Sequence, residues 1–325
     1  MQEFRTHELR LPAELSGMRL DQALARALPQ YSRARLRAWI DAGAVLVAGR
    51  VPRPRDRVFG GEHVQLQARI EAEERVVPES MPLAIVYEDE ALLVIDKPAG
   101  LVVHPGAGHR AHTLQNALLA HDARLAHVPR AGLVHRLDRD TSGLLVVART
   151  LEAHTRLVAA LAAREIERSY RAVCTGVMTG GLTVDEPIGR HRSERTRMAV
   201  RQDGRRAVTH IRVLERFRAH TLIEARLETG RTHQIRVHLA HIGHPIVGDP
   251  TYGGRRRLPA GASPPLVQGL TALRRQALHA AHLGLAHPLT GQPLAFDSPL
   301  PADLVALLEL LADDQRSGTA GGGRR

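Results

Sequence analysis

The sequence is almost without lysine, cysteine and aromatic residues. Lys97 is its one lysine, Cys174 its one cysteine, and aromatic residues make up 3% of the chain. A single cysteine excludes an internal disulfide and a zinc ribbon. No apolar run approaches the roughly 18 to 20 residues of a membrane span, and the first segment, MQEFRTHELRLPAEL, is too polar for a signal peptide. These absences predict a cytoplasmic protein without a membrane span.

Positive charge, by contrast, is abundant. The chain has 45 basic and 34 acidic residues and a net charge of +11, carried almost entirely by arginine. The guanidinium of arginine binds phosphate through two hydrogen bonds and stacks on bases, although a coding bias toward arginine produces the same excess. Placement favours a function: ten arginines stand against four acidic residues in 17–69, seven against two in 189–206, and three in a row at 255–257. Clusters of this kind favour a partner that carries phosphate, and the alternative is that they are solvated faces of the protein.

The first basic block contains the signals of a short helix. In SRARLRAWIDAG, Ser32 is placed to cap the start of the helix and Gly43 to end it. Leu36 and Ile40 are four residues apart and therefore share one face, which we expect to be buried.

Arg33 and Arg37 share another face of that helix. Two short strands are predicted after it, in AVLVAGRVPRPRD and EHVQLQA. Two small helices followed by a hairpin, with arginines on one side, resemble the S4 RNA-binding module. The resemblance implies an S4-like domain over 17–69, preceded by an N-terminal extension at 1–16, with Arg33 and Arg37 as RNA-binding residues. An ordinary solvated helical subdomain is the alternative.

A change of composition marks a second domain. Residues 70–82 are charged, contain two prolines and lack an apolar period, which predicts a linker. Strand-like runs such as LAIVYED and GLLVVA alternate irregularly with helical runs over 83–312. Strands and helices mixed without a regular βαβ repeat predict an α+β domain with a largely antiparallel mixed sheet. The Gly-rich polar tail, 313–325, is expected to be disordered.

The nonamer HRLDRDTSG has three interpretations: a phosphoryl-transfer aspartate, an ion-paired surface loop, or a nucleophilic carboxylate. The first requires a threonine four residues after the aspartate, and Thr141 is three after Asp138. The second pairs Asp138 and Asp140 with Arg136 and Arg139, at about 0 to 1 kcal/mol each. The nonamer alone does not decide between the second and the third.

The segments around the nonamer carry a family resemblance. HRLDRDTSGLLVVA is similar to the signature of the RluA/RluD family of ribosomal RNA pseudouridine synthases. Companion motifs stand in the family's order: LLVIDKPAGLVVHPG at 92–106, RSYRAVCTG at 168–176, LETGRTHQIRVHLAHIGHPIVGDPTYG at 227–253 and RQALHAAHLGLAHPLTG at 275–291. The similarity runs from Arg19 to Leu311 and is greatest to the family's D type, although the nonamer lacks that type's lysine after the aspartate and its second threonine. It implies the pseudouridine synthase fold and an isomerase acting on large-subunit ribosomal RNA.

The resemblance also implies catalytic residues. Asp138 matches the catalytic aspartate, which attacks the ribose or the uracil ring or assists a glycal route; the sequence leaves these routes open. Arg231 matches the arginine that pairs with it, and an adjacent guanidinium favours the charged form of a carboxylate that burial disfavours. Tyr170 matches the base-stacking tyrosine. Arg136 matches an arginine that in relatives helps to hold the extruded uridine; a phosphate contact and an ion pair with Asp140 are its alternatives. Asp140 has no chemical role in the family motif.

Ile235 has two interpretations. It is spaced four before Leu239 and seven before Ile242, as on the apolar stripe of a helix, and it is a candidate for the floor of the uracil pocket.

No cofactor or metal is expected. His238, His241 and His244 are spaced by three, drift around a helix, and lack a carboxylate or cysteine to complete a ligand set. Lys97, before PAG, is interpreted as part of a turn at the cleft border. Nothing in the sequence suggests an obligate dimer, so we expect a monomer, and the resemblance implies ribosomal RNA as its partner. The rival hypothesis is a non-catalytic S4-type RNA-binding ribosome assembly factor, which would bind RNA without forming product.

Overall fold

The chain forms two compact units, residues 1–75 and 76–325, whose boundary falls inside the predicted linker. The computed structural model describes most of the chain, namely residues 3–29, 31, 33–70, 76–106, 111–194, 196–254, 258 and 260–320.

The first unit combines two short helices with a three-stranded antiparallel sheet in the order β1-β3-β2. Its elements are β1 (Glu3–Arg10), α1 (Leu20–Ala27), α2 (Arg33–Asp41), β2 (Val45–Val47) and β3 (His63–Ile70). The two helices and the β2–β3 pair agree with the predicted order. The expected N-terminal extension at 1–16 is wrong for β1, because that strand pairs with β3 along its whole length and so belongs to the sheet.

Helix α2 has the predicted buried face and the predicted end. Leu36 and Ile40 are buried, at 0% and 2% exposure. The amide of Gly43 donates to the Ile40 carbonyl, and the following amide donates to the Trp39 carbonyl, the two bonds of a Schellman motif. Gly43 has φ of 73°, a conformation that costs glycine little. Ser32, the predicted cap, lies outside the described residues.

The second unit is built on a nine-stranded sheet in the order β4-β5-β6-β13-β7-β12-β11-β8, with β14 on β13. Its one parallel pairing is β6 with β13, so the sheet is largely antiparallel, as predicted. The strands are β4 (Ile85–Glu88), β5 (Leu92–Lys97), β6 (Ser142–Ala148), β7 (Glu167–Thr175), β8 (Leu182–Asp185), β9 (Ile188–Arg190), β10 (Met198–Val200), β11 (Val208–Arg216), β12 (His220–Leu227), β13 (Leu278–Ala286) and β14 (Pro293–Asp297). Strands β9 and β10 form a separate pair.

Apolar layers cover both faces of this sheet. The helices are α3 (Leu114–His121), α4 (Leu151–Ala163), α5 (Gln234–His241), α6 (Pro264–Ala272) and α7 (Ala302–Ala320). All seven residues of β6 are buried, and alternate side chains of a strand face opposite sides. Leu145 therefore joins the core that includes α3, α5, α6 and α7, while Leu144 joins the core that includes α4. None of the helices in the described ranges has the length and apolar character needed to cross a membrane.

The predicted disorder of the tail at 313–325 is wrong for residues 313–320, which continue α7. Leu311 is buried, and three residues later Asp314 is buried as well. The Asp314 carboxylate accepts a hydrogen bond from Arg218 at 3.0 Å. This polar anchor ties the last turns of α7 to the domain and was not visible in the composition of the tail. The remaining residues lie outside the described part.

Candidate active site

The loop that ends at β6 presents Asp138 to a cavity of about 670 Å³. The amide of Thr141 donates to the Asp138 carbonyl and closes a turn, while the Asp138 side chain is 16% exposed. All five residues of the second unit that the sequence assigned to catalysis or base binding line this one cavity: Asp138, Arg231, Tyr170, Arg136 and Ile235. The structure therefore brings the predicted site together.

The ion partner of Asp138 is Arg236. Its Nη1 lies 2.9 Å from Asp138 Oδ2. The predicted pair with Arg231 is wrong: Arg231 lies before α5, and its Nε donates to the Arg206 carbonyl at 3.1 Å. Arg236 is on α5 and its side chain is 6% exposed. An arginine flanked by apolar residues inside a helix is rarely buried without a partner, and that pattern in QIRVHL was the signal that could have identified it.

A second carboxylate holds Arg236 from the other side. Asp249 accepts from Arg236 Nε at 2.7 Å and from Nη2 at 2.9 Å. The Asp249 side chain is fully buried, and its Oδ1 also accepts the amides of Thr251 and Tyr252. Burial raises the pKa of Asp249, but the hydrogen bonds and charge of Arg236 outweigh it and keep that pKa below its ordinary value. The result is a fixed Asp138–Arg236–Asp249 array.

His233 approaches the other oxygen of Asp138. Its Nε2 lies 3.8 Å from Asp138 Oδ1, and its Nδ1 is 2.8 Å from the Tyr252 hydroxyl. That hydroxyl accepts the Met198 amide, so its own proton is available for Nδ1. Burial lowers the pKa of His233. The residue has φ of 57°, a strained conformation for a side chain larger than glycine. This backbone conformation holds the imidazole beside the Asp138 carboxylate.

Tyr170 and Ile235 supply apolar wall to the cavity. Tyr170 is on β7 and is 6% exposed, and Ile235 is on α5 and is 4% exposed. Burial raises the pKa of the Tyr170 hydroxyl; the charge of Arg168 acts against that rise and the charge of Asp138 adds to it. Leu239 is also buried, as the predicted helical stripe requires. Ile235 thus belongs both to the apolar face of α5 and to the cavity.

Two side chains, the buried Lys97 and the half-buried His135, fix the loop that carries Asp138. The ammonium of Lys97, at the end of β5, donates to three backbone carbonyls between 2.7 and 2.9 Å, one of them that of Arg139. Burial lowers the pKa of Lys97 to about 8. His135 Nε2 accepts the Val146 amide at 3.1 Å, and burial lowers the pKa of His135 to about 3. The turn expected at Lys97 is therefore present, and its amine is buried within it.

The surface-loop interpretation of the nonamer holds for one of its carboxylates. Asp140 pairs with the exposed Arg139 at 3.0 Å, whereas Asp138 turns inward to Arg236. The two carboxylates therefore differ in environment although they are two residues apart.

In the first unit, Arg33 and Arg37 both make internal ion pairs. Arg33 Nη2 lies 2.7 Å from the buried Asp21, and Arg37 Nε lies 3.7 Å from Asp41. About half of each arginine side chain is exposed, at 48% and 52%. Each keeps surface for a further contact while it contributes to the unit.

The three histidines spaced by three have separate surroundings. His238 is buried, and its ring nitrogens lie 2.9 Å from Thr209 Oγ1 and 3.0 Å from the Glu186 carbonyl. His244 Nδ1 lies 3.0 Å from the Thr175 carbonyl. Within the described ranges, no three His, Cys, Asp or Glu side chains converge as a metal site would require.

Comparison with known proteins places this geometry in a family. A family model described as RNA pseudouridylate synthase matches residues 91–241, and an S4 domain model matches residues 18–64. The chain is 57% identical over 307 residues to "Ribosomal large subunit pseudouridine synthase D" of Pseudomonas aeruginosa, covering 94% of this chain and 96% of that one. It is 55% identical over 304 residues to the protein of the same name from Xanthomonas campestris pv. campestris, covering 94% and 92%.

Among solved structures, "Human RNA Pseudouridylate Synthase Domain Containing 4" is similar with a TM-score of 0.55 and 28% identity, over 70% of this chain and 93% of that one. With the sequence matches and the cavity around Asp138, these similarities identify the chain as a member of the RNA pseudouridylate synthase family of isomerases, with an S4 domain at its N-terminal end.

Proposed function

We propose that the chain converts specific uridines of large-subunit ribosomal RNA to pseudouridine, with Asp138 as the catalytic carboxylate. The observation that carries the proposal is the Asp138 carboxylate at the cavity wall, 2.9 Å from Arg236 Nη1 and in the same cavity as Tyr170. The choice of RNA is supported by relatives named for the large subunit, which are more than half identical over more than nine tenths of this chain.

The reaction breaks the bond between ribose C1′ and uracil N1 and forms one between C1′ and C5. The C5 proton is lost and N1 gains a proton, so the product is an isomer of the substrate. Asp138 must be ionised to act as the nucleophile or base. The guanidinium of Arg236 stabilises that charge, and Asp249 keeps the guanidinium in place. Attack at C1′, attack at ring C6 and a glycal route each begin from this ionised carboxylate.

The remaining cavity residues are proposed to hold the extruded nucleotide. Stacking a uracil on Tyr170 would contribute about 1 to 3 kcal/mol, against a cost of a few kcal/mol for leaving the RNA stack. Ile235 forms the floor, and the exposed Arg136 holds the base in its extruded position. Arg33 and Arg37, half exposed on the first unit, contact the RNA backbone.

The test uses a large-subunit ribosomal RNA transcript that carries tritium at C5 of uridine, because isomerisation releases that hydrogen to water. The wild-type chain should release tritium, and D138N should release none while it binds the transcript with wild-type affinity. A non-catalytic assembly factor would bind the transcript without release from either protein. Release that continues in the presence of a metal chelator would remove the phosphoryl-transfer interpretation, which requires magnesium.

We also propose that the protein acts as a monomer in the cytoplasm. All members of the Asp138–Arg236–Asp249 array come from one chain, so the site is complete without a second copy. Sedimentation equilibrium at micromolar concentration should give the mass of a single chain, 35.6 kDa.

A further inference from the structure

A second arginine of the cavity, Arg168, is buried without a counter-charge. It is 7% exposed and lines the same cavity as Asp138 and Tyr170. Its Nε is inaccessible and makes no hydrogen bond, and the guanidinium pairs with no carboxylate of the described residues. By comparison, Arg236 in the same cavity has two carboxylate partners. An unpaired buried charge is unfavourable, so Arg168 is poorly explained as a structural residue.

The structure gives Arg168 a defined place. It is two residues before Tyr170 on β7, and residues two apart on a strand face the same side. Gly230 leaves the room that the guanidinium occupies, because a Cβ at that position would lie 2.9 Å from Arg168 Nη1. The nearby His135 is neutral, since burial and then the charge of Arg168 lower its pKa to about 3. His135 therefore adds no second positive charge, and no carboxylate of the described residues forms an ion pair with the Arg168 guanidinium.

Depth in the cavity indicates which part of an RNA reaches Arg168. Phosphates belong to the backbone, which stays at the mouth of the cavity, where the exposed Arg136 lies. The base is the part of an extruded nucleotide that enters furthest, and Tyr170 is the aromatic wall beside Arg168. A uracil stacked on Tyr170 would turn an edge with carbonyl oxygens toward the neighbouring guanidinium.

We propose that Arg168 is a catalytic residue that donates hydrogen bonds to a carbonyl oxygen of the extruded uracil and stabilises the negative charge that the ring gains during the reaction. The proposal rests on the proposed function. Breaking the C1′–N1 bond leaves its electron pair on the ring, where O2 and O4 share the charge. Attack at C6 sends the electron pair of the C5–C6 bond to C5 and O4. The ring therefore becomes negative by each of these routes, and the charge is lost when C5 bonds to C1′ or when a proton is taken up.

The experiment measures single-turnover tritium release by the full-length chain with saturating C5-tritiated large-subunit transcript. R168Q should slow release by about 10² to 10³-fold, the loss typical of removing a donor from a developing oxyanion. R168K, which keeps the charge, should recover part of that loss. The matched control is R171Q. Arg171 is on the same strand as Arg168, but it faces the opposite side of the sheet and pairs with Glu224. The rate of tritium release by R171Q should therefore equal that of the wild type. G230A should slow release because the added methyl displaces the guanidinium.

Affinity and stability separate this role from its alternatives. R168Q should bind the transcript with the wild-type Kd, and its binding constant should depend on salt concentration with the wild-type slope. A slope of log K against log salt that is smaller by about 0.7 to 0.9, with an unchanged rate of tritium release, would mean that Arg168 contacts a phosphate and would overturn the proposal. The melting temperature of R168Q should equal or exceed that of the wild type. A lower melting temperature of R168Q, together with a release rate of R168K as slow as that of R168Q, would mean that Arg168 has a structural role. Wild-type protein without tritium release would contradict the proposed function itself, whereas release by wild type and R168Q at equal rates would overturn only the role of Arg168.

Discussion

Replacing Arg236 by glutamine should damage both the stability and the activity of the second unit. Arg236 makes two hydrogen bonds to the fully buried Asp249 and one to Asp138. Breaking a buried pair by removing one partner typically costs about 3 to 5 kcal/mol. We therefore expect R236Q to lose that much free energy of unfolding at neutral pH. Its rate of tritium release should fall at least about 10²-fold, since the carboxylate is no longer held in place.

The matched control is R231Q, in the same short segment. Arg231 donates from Nε to one backbone carbonyl, so R231Q should lose only about 0.5 to 1.5 kcal/mol. Urea unfolding followed by far-UV circular dichroism reports both units, and the second unit, which contains most of the helices and strands, contributes most of the signal. The single tryptophan, Trp39, lies in the first unit, so its fluorescence transition should be the same in both variants and in the wild type.

The pH dependence has a sign that the structure determines. In the wild type the pKa of Asp249 is lowered, so its contribution to stability is complete above the ordinary carboxylate pKa and is lost as pH falls through the lowered value. In R236Q the guanidinium no longer opposes burial, so the pKa of Asp249 is higher than in the wild type and the carboxylate contributes less to stability above its ordinary pKa. The gap between wild type and R236Q should therefore narrow on acidification. A gap that widens, or an R231Q loss as large as that of R236Q, would refute the assignment of the ion partner.

Three further perturbations have defined outcomes. K97M leaves three backbone carbonyls without their donor and should lower the free energy of unfolding by about 3 kcal/mol, at about 1 kcal/mol for each lost hydrogen bond. Urea unfolding followed by circular dichroism measures the loss, and an unchanged midpoint would contradict the role of Lys97. R33Q removes two hydrogen bonds from the buried Asp21. It should lower the free energy of unfolding of the first unit, measured by tryptophan fluorescence, by roughly 1 to 2 kcal/mol and leave the stability of the second unit unchanged. The folded-state pKa of His135 is lowered from 6.5 to about 3, so protonation of the unfolded chain should reduce stability by up to about 1.4 kcal/mol per pH unit as pH falls through this range. In H135Q the amide oxygen can still accept a hydrogen bond, but this loss of stability with falling pH should be absent. A pH dependence of stability in H135Q equal to that of the wild type would contradict the lowered pKa of His135.

The sequence predicted which segments meet at the cavity but not which arginine pairs with the carboxylate. The aspartate in HRLDRDTSG and the tyrosine in RSYRAVCTG were identified from their motifs, and both line one cavity. Arg231 and Arg236 are five residues apart in one motif, and what separates them is the start of α5 at Gln234. That start depends on the strained His233 and on contacts with Tyr252 and Asp249, which are distant in sequence. Local patterns contain none of these contacts.

Contacts between residues distant in sequence also explain the two wrong predictions at the ends of the chain, the N-terminal extension and the disordered tail. The segment Glu3–Arg10 carries a strand pattern that is only realised by pairing with β3, about sixty residues away. The polar tail contains Asp314, which looks like a solvated residue until Arg218 and the amide of Ser263 are seen to bind it. In both cases a long-range partner outweighs local composition.

The enclosure of the one lysine has a consequence for regulation and labelling. The ε-amine of Lys97 is inaccessible and engaged with three carbonyls, and every other basic side chain counted as Lys or Arg is a guanidinium. Acetyl transfer to side-chain amines therefore cannot neutralise the cationic surface of the folded chain. Reagents that acylate lysine will leave that surface intact, so cross-linking of the cationic surface to an RNA partner calls for arginine-directed dicarbonyls or ultraviolet light rather than lysine-directed reagents.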